Sequence, residues 1–306
     1  PESKEKALEL VNNILVAMEE RINALDWMGK ETKELAIEKL NSLTVKIGYP
    51  DEWIDYSNVD ISRDSYVQNQ LNSNYAAFQR ELEKIGEPVD RNEWEMYPQT
   101  VNAYFHPLKN EIVFPAAILQ PPFFDAKADN AVNYGAIGAV IGHEITHGFD
   151  DQGRQYDAEG NIQDWWTKED EARFNARAKF LVDQYEEYTP VDTFKINGKL
   201  TLGENIADLG GLNVALTALK KANEGKEVEE IDGFTPEQRF FLSWAQVWRN
   251  NIRDENLLVR LKTDPHSPGK YRVIGPLVNM PEFYEAFEIR PEDPMARLDT
   301  LRVKIW

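Results

Sequence analysis

The 306-residue sequence predicts an α+β fold, mainly helical with a small β-sheet. Long stretches carry apolar residues at three- and four-residue spacing, the helical repeat. Two short β-prone runs, Val101–Phe105 and Glu111–Phe114, flank a turn-rich segment. Within Asn130–Gly148, the small residues Ala131, Gly135, Ala136, Gly138, Ala139 and Gly142 predict a buried, closely packed helix, despite the propensity cost of glycine.

Taken in chain order, Leu8, Val11, Leu15, Met18 and Ile22 define a first helix. Leu35, Leu40 and Leu43 continue a second, which stops near Gly48-Tyr49-Pro50. Asp51–Tyr56 reads as a short strand, and Ser65–Ile85 as a helix ended by Gly86 with Pro88 beyond. His106–Asn110 has the composition of a hairpin turn, and Pro115 ends the second strand or places it at an edge. Gly153–Asp164 is polar loop. Thr167 suits the N-cap of a helix running to about Tyr188, with Asp170 in a capping-box position. Asn197-Gly198 within Phe194–Leu200 signals a further hairpin. Leu202–Ala222 and Thr235–Asn250 read as helices, Asn223–Asp232 as an acidic exposed linker, Pro265–Gly275 as loop and turn, and Pro281–Ile289 as a short helix.

Acidic residues number 53 against 34 basic, a net charge of −19, which repels phosphate backbones and anionic lipid and argues against a nucleic-acid partner. With 42% hydrophobic and 11% aromatic residues the chain has the means to form a core. No stretch approaches the roughly 20 apolar residues of a membrane span, and no signal-peptide pattern is present. Cysteine is absent, which excludes disulfides and thiolate metal sites, and there is no Asn-x-Ser/Thr sequon. These features point to a reducing, bacterial cytosol. A start at Pro1 rather than Met points to a natural chain that begins further upstream.

The decisive run is Ile141-Gly142-His143-Glu144-Ile145-Thr146-His147. On a helix, residues four apart share a face, so His143 and His147 can aim ring nitrogens at one cation, and two neutral imidazoles suit zinc. Glu144 lies beside them, where it can take a proton from water at the cation. Such a short pattern also arises by chance. Its apolar flank Ala139-Val140-Ile141 argues otherwise, because burying His, Glu and His without a partner costs several kcal/mol.

A catalytic zinc needs a third protein ligand. Glu204 and Asp208, four apart in Gly203-Glu204-Asn205-Ile206-Ala207-Asp208, can supply that ligand and an acceptor for the outer N–H of a ligating histidine. Asp150 is either a second such acceptor or a plain loop acid. His266, in Asp264-Pro265-His266-Ser267-Pro268-Gly269, is either an oxyanion donor or a solvated loop histidine. His106 receives no role.

With these residues assembled, the sequence resembles the neprilysin-like zinc metallopeptidases, in particular their bacterial oligopeptidase branch. The motifs that carry the resemblance are Val101-Asn102-Ala103-Tyr104, Glu111-Ile112-Val113-Phe114-Pro115-Ala116, His143 to Asp151, Glu204 to Asp208, and Asp264 to Gly269 with Arg272. The resemblance implies a thermolysin-like zincin catalytic domain with one zinc held by His143, His147 and Glu204. It makes Glu144 the general base, Asp208 and Asp150 the histidines' partners, and His266 a stabiliser of the tetrahedral intermediate. Arg272 then contacts a substrate carbonyl, and Asn102 and Ala103, on an exposed strand edge, bond the peptide main chain. Ile118, Phe123, Val140, Val247 and Trp248 match the family's pocket for the residue after the cut, or are simply core. Animal members carry a Cys near the C-terminal Trp where this chain has Lys304-Ile305-Trp306.

Family proteins are about twice as long, so the match covers their C-terminal half. Residues 1–95 are then a largely helical part that contributes to a lid, and 96–306 the zinc-binding catalytic domain. The function expected is a zinc-dependent endopeptidase for oligopeptides, cutting on the amino side of hydrophobic residues with a water activated by Glu144. The alternatives are a catalytically impaired zinc-containing fragment that binds peptides, and an acidic structural protein whose histidine pair is incidental. Oligomeric state is not expressed in the sequence.

Overall fold

A computed structural model describes residues 2–306 and bears out the α+β expectation. Its helices are α1 (Glu2–Ala24), α2 (Lys30–Asn41), α3 (Tyr66–Glu83), α4 (Asn130–Asn133), α5 (Ala139–His147), α6 (Lys168–Glu186), α7 (Leu202–Ala222), α8 (Pro236–Val247), α9 (Asp254–Thr263), α10 (Gly269–Leu277) and α11 (Pro281–Ala286). Its strands are β1 (Thr44–Gly48), β2 (Tyr104–His106) and β3 (Glu111–Pro115). They form one sheet of order β1-β3-β2, in which β1 runs parallel to β3 and β2 antiparallel to it.

The chain forms two compact units, Tyr49–Tyr97 and the remainder. The first 48 residues belong with the C-terminal part because β1 completes the sheet and α1 packs on α7. In the smaller unit, α3 is capped by the Ser65 side chain, which accepts from the Gln68 amide at 3.2 Å, and Ala76 is its buried residue. Asp51–Tyr56 forms no strand; Tyr49 instead stacks on Trp53.

Several expectations shift in the larger unit. The second helix ends at Asn41, and the residues after it become β1, since Thr44, Val45 and Ile47 find β3 as a pairing edge. Pro115 ends β3, which is the central strand and wholly buried. Asn130–His147 is helical throughout but widens into a π turn at Tyr134–Gly138. Gly135 makes that turn a docking point: a Cβ there would lie 2.1 Å from the Phe240 carbonyl oxygen of α8. No hairpin forms at Phe194–Leu200, because the exposed Asn197 side chain accepts from the Leu200 amide at 3.1 Å in a turn that leads into α7. Pro265–Gly275 is not all loop: α10 begins at Gly269, behind Pro268, which has no N–H to leave unpaired.

Thr167 caps α6 as expected, accepting from the Asp170 amide at 3.2 Å. The Asp170 carboxylate does not complete a capping box. It reaches across to the start of α2, accepting from Gly29 N at 2.9 Å and Thr32 Oγ1 at 2.7 Å, and so caps a helix whose own N-cap, Gly29, has no side chain to do it. Around this link Trp27, Trp166, Phe174 and Trp306 pack with centroid separations of 5.3–6.4 Å.

Helices α5 and α7 pack backbone against backbone. A Cβ on Gly142 would lie 2.7 Å from the Gly211 carbonyl oxygen, and one on Gly211 only 2.5 Å from the His143 amide nitrogen. The two backbones touch where a side chain would hold them apart. Gly210 adds to this, since its Cβ would meet the Thr146 methyl at 2.7 Å.

Two outcomes follow from these contacts. Gly211→Ala forces α7 off α5 and costs about 1–3 kcal/mol of stability by overpacking, read as a lower urea midpoint. Burial alone would raise the Asp170 carboxyl, but donors from Thr32, Thr167, Gly29 and Arg173 outweigh it and hold it below the ordinary aspartate range. Its contribution is therefore complete above that range and fades as pH falls toward the folded-state value. Urea midpoints of Asp170→Asn and the parent chain should differ at neutral pH and converge below about pH 4.

Candidate metal centre

Helix α5 presents His143 and His147 one turn apart, and α7 brings Glu204 and Asp208 against them. His143 Nε2 and His147 Nε2 are 3.0 Å apart. Glu204 Oε2 lies 3.2 Å from the first and 3.6 Å from the second. The side-chain nitrogens of His143 and His147 and a carboxylate oxygen of Glu144 all lie within 4.8 Å of one another. His266 joins from the loop before α10, its Nε2 3.3 Å from the same Glu204 oxygen.

The outer ring nitrogens are already engaged. His143 Nδ1 meets Asp208 Oδ1 at 2.8 Å, and His147 Nδ1 meets Asp150 Oδ2 at 2.7 Å. Each carboxylate accepts a hydrogen bond from the Nδ1–H, which leaves the Nε2 lone pair facing Glu204. Asp150 is held by its own turn, its other oxygen accepting from Gln152 N at 2.8 Å and Gly153 N at 2.7 Å. That turn doubles back so tightly that a Cβ on Gly153 would lie 1.7 Å from the His147 carbonyl oxygen.

These donors fit zinc on chemical grounds. Two lone-pair nitrogens and a carboxylate oxygen converge, and Glu204 Oε2 is buried without a hydrogen-bond donor. The charge balance asks for a cation as well. Glu144, Asp150 and Asp208 are buried and Glu204 nearly so, with Arg272 the guanidinium among them. Burial opposes ionisation of Glu204, yet His143 and His147 outweigh it and hold its carboxyl well below the usual range. Burial would lower His147, but Asp150 and Glu204 raise it well above its ordinary value. Both directions mark a spot where positive charge is stabilised. Burial raises the Glu144 carboxyl, with the His143 and His147 imidazoles opposing.

Three features had no sequence signal beyond residue type. Arg272 grips Asp208 with two bonds, Nε to Oδ2 at 2.8 Å and Nη2 to Oδ1 at 2.6 Å, fixing the partner of His143. Asp264 accepts from the backbone N–H of His266 at 2.9 Å and meets its Nδ1 at 2.8 Å, which orients that ring. Ser267 Oγ donates to Asn205 Oδ1 at 2.8 Å and ties the His266 loop to α7.

The expected substrate residues are dispersed. Asn102, exposed, and Ala103, buried, precede β2 rather than lying in it, since the strand begins at Tyr104. β2 is nonetheless an edge strand. Ile118, Phe123, Val140, Val247 and Trp248 all belong to the main core or pack on it. Trp248 connects to the centre: the Arg272 guanidinium lies 3.7 Å above its ring centroid.

Comparison with known proteins agrees with this geometry. A family model described as peptidase family M13 matches residues 102–303, and a second of the same description matches residues 1–50. The chain is 41% identical to Neprilysin-3 of Drosophila melanogaster over 316 residues, covering 100% of this chain and 40% of that protein. It is 42% identical to human Membrane metallo-endopeptidase-like 1, covering 100% and 41%. It superposes on an inhibitor complex of the Mycobacterium tuberculosis zinc metalloprotease Zmp1 with a TM-score of 0.96 at 49% identity, covering 99% of this chain and 47% of that one. The chain thus spans about 40% of the length of the curated relatives it matches. The bacterial cytosol expected from the missing cysteines is overturned, because the relatives include animal proteins and one whose name places it at a membrane. Among the described residues no helix is long and apolar enough to cross a membrane. Motif, ligand geometry and superposition agree that the chain, a thermolysin-like zincin in fold, belongs to peptidase family M13.

Proposed function

We propose that this chain is the catalytic part of a zinc-dependent endopeptidase that hydrolyses oligopeptides on the amino side of hydrophobic residues. What supports the reading most is the meeting of His143 Nε2, His147 Nε2 and Glu204 Oε2 within 3.0–3.6 Å, with Glu144 beside them. Held by these three residues, zinc supplies a Lewis acid that polarises the substrate carbonyl and lowers the pKa of water to about 7.

The chain's own groups do the rest. Glu144 takes a proton from the attacking water at its carboxylate and passes it to the leaving amine; its upward-shifted carboxyl brings its basicity closer to that task. Asp208 and Asp150 keep the ligand imidazoles in the tautomer that points Nε2 inward. His266, oriented by Asp264, donates from Nε2 to the oxyanion of the tetrahedral intermediate. Asn102 and Ala103, beside the edge strand β2, bond the peptide main chain as an added strand would. Arg272 keeps N–H groups beyond those used on Asp208 for a substrate carbonyl. Ile118, Phe123, Val140, Val247 and Trp248 form the pocket for the side chain after the cut.

Glu144→Gln should retain about one zinc per chain by elemental analysis while peptide cleavage falls by about 10²–10⁴-fold. Zinc retention with near-parental turnover would remove Glu144 from the role of base. A parent chain that holds zinc and binds peptides but cleaves none would instead be a binding fragment. For side-chain choice, replacing leucine after the cut by glycine should lower kcat/KM by about tenfold or more, measured on otherwise identical short peptides.

A further inference from the structure

Helix α2 carries a lysine whose whole donor capacity is spent on one turn of the metal centre. Lys39 is 1% exposed. Its ammonium donates at 2.7 Å to each of three backbone carbonyls, those of Gly148, Gly153 and Tyr156. An ammonium has three N–H groups, so none is left over. The rings of Phe105, Phe149 and Trp165 surround it with centroids 5.6–5.9 Å away. The three carbonyls bracket Asp150, the residue that bonds His147 Nδ1 at 2.7 Å.

We propose that Lys39 is a positioning residue of the metal centre, fixing the Gly148–Tyr156 turn so that Asp150 holds His147 in its ligating tautomer. The geometry separates this from ordinary core packing. A lysine placed only to fill volume would send its amine toward solvent along its flexible stem. Here the amine is drawn inward to the one segment that reverses direction directly after His147. That reversal leaves carbonyls pointing into the protein, where each needs a donor. Asp150 serves two amides of the same turn and one imidazole, so a small displacement of the turn moves the His147 partner with it. At the far end of α2, the Asp170 carboxylate anchors Gly29 and Thr32, which holds Lys39 in place along the helix axis. The inference rests on the zinc reading of the centre.

The test measures zinc dissociation constants of the chain by chelator competition, alongside peptide cleavage. Lys39→Met keeps the length and apolar stem and removes all three donors. Its zinc affinity should fall roughly ten- to hundredfold, the range for loss of a ligand histidine's outer partner. Asp150→Asn should weaken zinc comparably. Because Lys39 acts through Asp150, the double variant should bind zinc about as well as Asp150→Asn alone. A purely structural lysine predicts losses that multiply, and that result overturns the proposal, as does parental zinc affinity in Lys39→Met. If Lys39→Met does not fold, Lys39→Gln is read in the same cycle: its amide has two N–H groups, so at least one of the three carbonyls loses its donor, and parental affinity there also overturns the proposal. A parent chain that binds no zinc would sink the metal-centre reading itself, a failure distinct from either outcome.

Discussion

The centre depends on the contact of two helix backbones. Helices packed through ordinary side chains keep their axes 8–10 Å apart. Glu204 and the histidines of α5 stand on separate helices far apart in sequence, yet the two Nε2 atoms and the Glu204 oxygen lie within 3.0–3.6 Å of one another. Gly142 and Gly211 remove the spacers on both sides, and Gly210 clears room for Thr146. On α7, Glu204, Asp208 and Gly211 recur at helical spacing, so the glycine that permits the approach lies on the same face as the carboxylates that use it.

Around that contact, charge is arranged in bonded relays. Arg272 grips Asp208, which meets His143; Gln152 and Gly153 amides hold Asp150, which meets His147. Buried carboxylates on this scale are tolerable only when each is paired or bonded. The arrangement makes the imidazoles rigid and leaves the surplus negative charge where the inward nitrogens and Glu204 converge. Lys39 and Asp170 extend this order outward, so that α2, which supplies no ligand, is nevertheless bonded to the turn after α5 and to the start of α6.

The sequence displayed the chemistry more clearly than the scaffold. The spacing of His143 and His147, and of Glu204 and Asp208, follows from helical geometry, so local pattern sufficed to place them. The helical periodicity of α1, α6 and α7 was equally legible, as was the Thr167 cap. What escaped depends on partners distant in sequence. β1 looked like a helix tail because Thr44–Gly48 becomes a strand only where β3 offers an edge. Asn197-Gly198 suggested a hairpin but lacks strands to join, and Asp170 reached to α2 instead of its own helix. Lys39 and Gly211 carry no local mark at all, since their meaning lies in carbonyls and amides of other segments.

The π turn at Tyr134–Gly138 has a consequence for how this helix serves two neighbours. In a regular α-helix each residue advances by about 100°, so faces presented to different partners are locked to one repeat. Gly135 meets α8, while Gly142, further along the same helical stretch, meets α7. The wider turn resets the angular phase between the two faces. The face that docks on α8 and the face that packs on α7 are therefore oriented separately, with the bulge absorbing the mismatch.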